Sequence, residues 1–172
     1  AAYARFLSEI KKFNMPVHLM VGNHDDTEAF GAAFPKTHRD ENGFVQSGFT
    51  TPFGRFLFLD TKAPGTHAGA YCPARQAWLD RELHQTDGPI ILFVHHPPFK
   101  TGIASMDRIM LQDAETFYDV IAPHKARIRH LFFGHVHRAI FGNWRGISYS
   151  CMRGLNHQVA LDLGGTPDRI TA

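Results

Sequence analysis

The chain reads as an α/β domain carrying added antiparallel strands. Three observations predict this. Short apolar runs at 17–21, 90–94 and 131–133 alternate with stretches of helical periodicity. Each run leads at once into a block rich in Gly, Asn or His, the position beyond a strand's carboxyl end where α/β sheets place functional side chains. Closely spaced strand-like segments flank the turns Pro52-Phe53-Gly54 and Arg145-Gly146, which adds antiparallel pairs.

Taken in order, residues 2–13 form an amphipathic helix with Tyr3, Phe6, Leu7, Ile10 and Phe13 on one face, ended by Asn14 and Pro16. Val17 to Val21 is a short strand. Residues 27–33 make a short helix with Thr27 as N-cap. Residues 44–50 and 55–60 are strands joined by the Pro52-Phe53-Gly54 turn, and 62–71 is a Gly- and Pro-rich loop. Pro73 opens a helix to about Thr86 that buries Trp78, Leu79 and Leu83. Ile90 to Val94 is wholly apolar, as expected of a strand covered on both faces. Residues 99–112 are a loop whose Met106 and Asp107 either anchor it or face a substrate. Asp113 caps a helix to Ala122 with Phe117, Val120 and Ile121 inward. Leu131 to Phe133 is another buried strand. The tail gives strands at 138–144, 146–151 and 157–163. No repeat, low-complexity stretch or linker interrupts the 172 residues.

Composition narrows the function. A formal charge of +2, with Lys and Arg scattered, gives no electrostatic footprint for nucleic acid. No apolar run approaches the ~20 residues of a membrane span, so no membrane association is expected. Cys72 and Cys151 lie far apart and form no CxxC; they suit buried small side chains in a reducing compartment, and a cytoplasmic location is expected. Histidine, at twelve, is in excess, and imidazole is the commonest metal ligand.

Three blocks carry the chemistry. In Gly22-Asn23-His24-Asp25 the amide oxygen of Asn23 is a neutral ligand candidate. His24 is placed behind the ligands either to protonate a leaving alkoxide or to stabilise the reacting phosphate, and Asp25 to orient His24 through its second ring nitrogen. Read alone, the block is also an ordinary Gly-Asn turn. In His95-His96-Pro97-Pro98, His95 ends a buried strand and is therefore a ligand or hydrogen-bonded, with His96 behind it and the prolines fixing an extended wall. In Gly134-His135-Val136-His137, two histidines one residue apart project to the same side of an extended segment, and Gly134 allows close backbone approach. Two divalent ions ~3.5–4 Å apart clamp the attacking and leaving oxygens of a phosphoryl transfer, which needs ligands from several strand ends at once.

The extended blocks Gly-Asn-His-Asp-Asp (22–26), His-His-Pro-Pro-Phe (95–99) and Gly-His-Val-His-Arg (134–138), in this order, resemble the calcineurin-like metallophosphoesterase family. The extended blocks look most like its class III branch of cyclic-nucleotide phosphodiesterases and glycerophosphodiesterases. The resemblance implies a four-layer α/β/β/α sandwich, a small phosphodiester substrate and two divalent ions (Fe, Mn or Zn). It implies Asn23, His95 and His135 as ligands of the second metal, His137 as a ligand of the first, and His24 as a catalytic assistant.

The chain departs from the family pattern in one respect. It has no Asp-x-His triplet and no Gly-Asp pair, the motifs that supply the first metal and the bridging carboxylate. Residues 1–172 are therefore expected to be the C-terminal portion of a single, N-terminally truncated metallophosphoesterase domain. Its metal site should be partial or empty, and the chain alone should have little or no phosphodiesterase activity. Zn²⁺ should be preferred over Mg²⁺ or Mn²⁺ by neutral ligands. An exposed edge at 17–21 would favour a homo-oligomer or strand-swapped dimer. Two rival readings stay open: a non-catalytic fold remnant serving assembly or binding, and a mononuclear zinc protein using the histidines differently.

Overall fold

The computed structural model describes residues 2–165. Six strands form one sheet in the order β1-β2-β3-β4-β6-β5. They are β1 (Ser47–Thr51), β2 (Gly54–Phe58), β3 (Ile90–Phe93), β4 (Ile128–Phe133), β5 (Ile140–Trp144) and β6 (Ile147–Cys151). The four central strands run parallel, and the edge strands β1 and β5 are antiparallel to their neighbours. The helices are α1 (Ala2–Ile10), α2 (Thr27–Ala33), α3 (Pro73–His84), α4 (Ala104–Asp107) and α5 (Ala114–Ile121), with a 3₁₀ helix at Ala122–Arg127. The α/β class predicted from the alternation of runs is what the structure shows.

The strand pleat sorts the core. Leu57, Leu92, Leu131 and Phe133 point to one face, where Leu79 and Leu83 of α3 and Phe117 and Ile121 of α5 cover them; most are wholly inaccessible. The alternate residues Phe49, Phe56, Phe58, Phe93 and Phe132 stack across the opposite face with near-parallel rings. Helices cover the first face only among the described residues. Hence Ile91 and Phe93 are half-buried, and β3 is not enclosed on both sides as its apolar sequence suggested. A smaller cluster of Val21, Phe30, Phe34 and Val45, joined by Tyr3, Leu7 and Ile10, fastens α1 and α2.

Several boundaries differ from expectation for local reasons. Val17 to Val21 is extended but joins no ladder among the described residues; His18 instead stacks on Phe49 and Phe58. The cap of α2 is Asp26, whose Oδ1 accepts from Ala29 N at 2.7 Å, so Thr27 is the first helical residue. Asp113 does precede α5, but its carboxylate accepts from Tyr71 N at 2.8 Å rather than from the helix. Helix α1 stops at Ile10, and 157–163 is irregular rather than a strand. The loop 99–112 contains α4; Met106 is buried there, and Asp107 accepts from Thr101 N, Thr101 Oγ1 and Gly102 N, so both residues anchor the loop. The Arg145-Gly146 turn between β5 and β6 has φ of 52° and 91°, the paired positive angles of a tight hairpin turn.

Candidate metal centre

The two central parallel strands deliver the site. Beyond β3 the ladder continues through Val94 N, which donates to Phe132 O at 2.9 Å, and beyond β4 through Gly134 N, which donates to His95 O at 3.1 Å. These bonds hold the His95 and His135 backbones side by side. Gly22 approaches from the extended 17–21 segment. A Cβ on Gly22 would meet His95 Cε1 at 2.7 Å, and one on Gly134 would meet His95 Nδ1 at 3.2 Å. The His95 ring thus lies between two glycines, which gives Gly22 and Gly134 a steric reason to lack a side chain.

Of the candidate ligands, Asn23 and His135 each lie beside His95. His95 Nε2 donates to Asn23 Oδ1 at 2.8 Å, and the His95 and His135 rings lie 5.2 Å apart. One nitrogen from each of His95, His96 and His135 falls within 4.8 Å of the others. Both ring nitrogens of His135 are buried without a hydrogen-bond partner. Buried polar atoms are nearly always satisfied, so an imidazole with two idle nitrogens beside other donors suits a bound cation. The fit of these residues to a metal rests on that observation.

His96 stands closer to the centre than expected, but it is not free to ligate. Its Nε2 donates to His67 O at 3.1 Å, and its Nδ1 accepts from Thr61 Oγ1 at 2.8 Å. It is a buried wall.

His137 lies at the margin. With His95, His135, Phe133, Met152 and Gly154 it lines a cavity of about 440 Å³, and its Nδ1 is buried without a partner. Its ring packs 4.3 Å from His157. The geometry of the pair differs from the extended segment predicted. His135 and His137 have φ of 68° and 52°, with Val136 N donating to Gly134 O at 2.7 Å in a tight turn between them. Left-handed backbone at two non-glycine residues costs of order 1–3 kcal/mol each and is typical of functional turns.

Asp25 does not orient His24. Its Oδ1 accepts from Tyr3 OH and its Oδ2 from Gly22 N, both at 2.7 Å, so both oxygens brace the turn. His24 is exposed and faces His67, with ring centroids 4.9 Å apart. His67 also accepts from Asn23 Nδ2 through Nδ1 at 3.1 Å. This residue escaped the sequence reading because nothing about a histidine inside a Gly-Pro loop signals its destination.

The electrostatics suit metal binding. Burial, reinforced by the neighbouring imidazoles His96, His135, His137 and His24, holds His95 well below the ordinary histidine value. Burial likewise lowers His135 to about 3 and His96 to about 4. All three are neutral at pH 7, and in His95 and His135 a ring lone pair is left for a cation, whereas that of His96 is taken by Thr61. The gathered donors are imidazole nitrogens and an amide oxygen, with no carboxylate among them.

Known proteins resemble this chain in sequence and in fold. A family model described as calcineurin-like phosphoesterase matches residues 1–139. The chain is 43% identical over 166 residues to a Rhodopseudomonas palustris protein named probable cyclic nucleotide phosphodiesterase, covering 94% of this chain and 60% of that one. It is 32% identical to an Arcobacter nitrofigilis protein named probable glycerophosphodiester phosphodiesterase, again covering 94% and 60%. The chain therefore spans about three-fifths of these relatives. The crystal structure of a Danio rerio dimetal phosphatase superposes with a TM-score of 0.70 at 17% identity, over 89% of this chain and 67% of that one, a likeness of fold. The chain belongs to the calcineurin-like phosphoesterase family. No helix among the described residues is long and apolar enough to cross a membrane.

Proposed function

We propose that this chain supplies the imidazole-and-amide half of a divalent-metal centre in a hydrolase of small phosphoric diesters. The observation that carries the reading is His135: buried, with two unpartnered nitrogens, beside His95 and Asn23. Asn23, His95 and His135 would hold one ion, and His137 would reach a second from the margin. When bound, a divalent ion polarises a phosphoryl oxygen as a Lewis acid.

The remaining side chains have separate tasks. His24, exposed at the rim, hands a proton to the oxygen of the leaving alcohol. His67 holds the Asn23 amide so that its oxygen faces His95. His96 and the buried Pro97 and Pro98 exclude water from the rear of the site. The names of the relatives favour cyclic nucleotides and glycerophosphodiesters as the first substrates to try.

The neutral donor set limits the chain. Without an anionic ligand in the group, Zn²⁺ is held through imidazole, whereas Mg²⁺ and Mn²⁺, which prefer carboxylate oxygen, are held poorly. The test is calorimetric titration of chelator-treated protein with Zn²⁺ and Mn²⁺, beside hydrolysis of bis(p-nitrophenyl) phosphate, cyclic AMP and a glycerophosphodiester. The expected result is one equivalent of bound Zn²⁺ that disappears on His135→Ala, weaker Mn²⁺ binding, and turnover far below the ~10 s⁻¹ typical of enzymes. A Zn²⁺ stoichiometry unchanged by His135→Ala, or rapid hydrolysis without metal, would overturn it.

A further inference from the structure

The histidines are not confined to one end of the sheet. His95 and His135 follow the carboxyl ends of β3 and β4, while a second group lies where those strands begin. Helix α3 ends at His84, just ahead of β3, and the 3₁₀ helix at Ala122–Arg127 leads directly into β4. We propose that Asp80, His84 and His124 form a separate site for a borderline-soft divalent cation, with Zn²⁺ as the best fit.

Geometry supports it in three ways. One donor atom from each of the three residues lies within 4.8 Å of the other two. Asp80 and His84 are one helical turn apart on α3 and therefore share a face. The ring of His84 meets that of His124 at 4.7 Å and 83°, joining α3 to the 3₁₀ helix.

The second observation is His124 itself. It is 7% exposed, and its Nε2 is buried without a hydrogen-bond partner. An unpaired buried ring nitrogen is costly, and a cation removes that cost once the ring proton has moved to Nδ1. Its Nδ1 accepts from Arg127 Nη2 at 2.5 Å, and the same Nη2 donates to Leu83 O at 2.9 Å. In that tautomer Nε2 carries the proton; ligation through Nε2 moves it to Nδ1, which turns the Arg127 contact into donor against donor, so Arg127 must swing off His124 while keeping its bond to Leu83 O.

His84 Nδ1 donates to the Asp80 backbone carbonyl at 2.9 Å, which fixes the tautomer and leaves the Nε2 lone pair available; the Asp80 carboxylate, whose Oδ1 lies 3.4 Å from the same Nδ1, must turn to reach a shared ion.

Two imidazoles and one carboxylate match the ligand preference of Zn²⁺, and three protein ligands leave a fourth position for water. A tetrahedral ion with bonds of about 2 Å needs its ligands roughly 3.4 Å apart. Asp80 and His84, with side chains 53% and 64% exposed, can rotate to close that gap around the fixed His124. A bound ion would then clamp the end of α3 to the segment feeding β4.

The test uses tag-free protein and Zn²⁺ alone. In a His95→Ala/His135→Ala background, which removes the first centre, calorimetry should still find one equivalent of Zn²⁺, and adding Asp80→Asn with His84→Asn should abolish it. Should that background fail to fold, the wild type should lose one bound equivalent on the Asp80→Asn/His84→Asn change alone; both altered side chains are exposed. In wild-type NMR spectra, Zn²⁺ should shift the ring resonances of His84 and His124 together. Stoichiometry and His124 resonances unmoved by the Asp80→Asn/His84→Asn change would overturn the proposal, whatever happens at His135.

Discussion

His95 Nε2 and Asn23 Oδ1 stand 2.8 Å apart although 72 positions separate them in the chain. An amide oxygen only accepts, so the hydrogen between them sits on His95 Nε2. The separation is also close to the ~3 Å between adjacent ligands on an ion with bonds of about 2.1 Å. A cation can therefore take the place of that hydrogen once the imidazole proton moves to Nδ1. Asn23→Ala should weaken Zn²⁺ binding more than tenfold. Asn23→Asp should strengthen Mn²⁺ binding by at least as much, because it brings the anionic oxygen that hard cations prefer. Calorimetric titration of the two variants checks both.

Gly22 tests the packing around the same ring. Its substituted Cβ would lie 2.7 Å from His95 Cε1, a distance that real side chains do not tolerate. The His95 ring must yield, since the backbone beneath it is fixed by the bond from Gly134 N to His95 O. Gly22→Ala should reduce Zn²⁺ affinity about 10- to 100-fold, the usual effect of disturbing the support of a ligand. Helix content should be unaffected, because Gly22 lies outside every helix. Circular dichroism and metal titration of one sample separate the two effects.

Acid should unfold the metal-free protein early. Burial depresses His96 to about 4 and His135 to about 3, from an ordinary 6.5. Below pH 6.5 the unfolded chain takes up protons that the folded chain refuses. Stability is therefore full above about pH 6.5 and falls as pH drops toward 4, with His96 alone costing roughly 3 kcal/mol by then. Thermal unfolding between pH 7.5 and pH 4 should show a steadily falling midpoint. A flat profile across that window would show that these histidines titrate normally.

Much of this centre was legible because its residues sit directly after strand-like runs. The apolar stretches ending at Val94 and Phe133 announce strands, and a polar residue placed just beyond such an end has few destinations but the sheet's carboxyl edge. Long-range partners were not legible. Whether Asp25 turns toward His24 or toward Tyr3 depends on where α1 packs, and no local pattern reports that. His67 arrives from an irregular loop held by Gly69, whose missing Cβ makes room for His96. The left-handed turns at His135 and His137 were hidden for a different reason: histidine there carries none of the glycine signature that normally betrays a positive φ. The segment 17–21 is not a strand because an apolar sequence gives only propensity, whereas pairing requires a neighbour, and it has none among the described residues.

Asp25 gives the last prediction, since its carboxylate links α1 to the Asn23 turn. Tyr3 OH donates to Oδ1 and Gly22 N donates to Oδ2. Burial, and then the Asp25 hydrogen bond, push the Tyr3 phenol up to about 12, so it stays a donor throughout the physiological range. Tyr3→Phe should cost about 1 kcal/mol, the loss of one hydrogen bond, and Asp25→Ala about 1–3 kcal/mol, because two donors lose their acceptor. The double variant should cost less than the sum of the two, since each single change already removes the shared bond. Denaturant unfolding of the four proteins measures that coupling. Strict additivity would mean that Asp25 acts through Gly22 alone, and that α1 is held to the metal-binding turn only by the apolar packing of Tyr3 and Leu7 around Val21, Phe30 and Phe34.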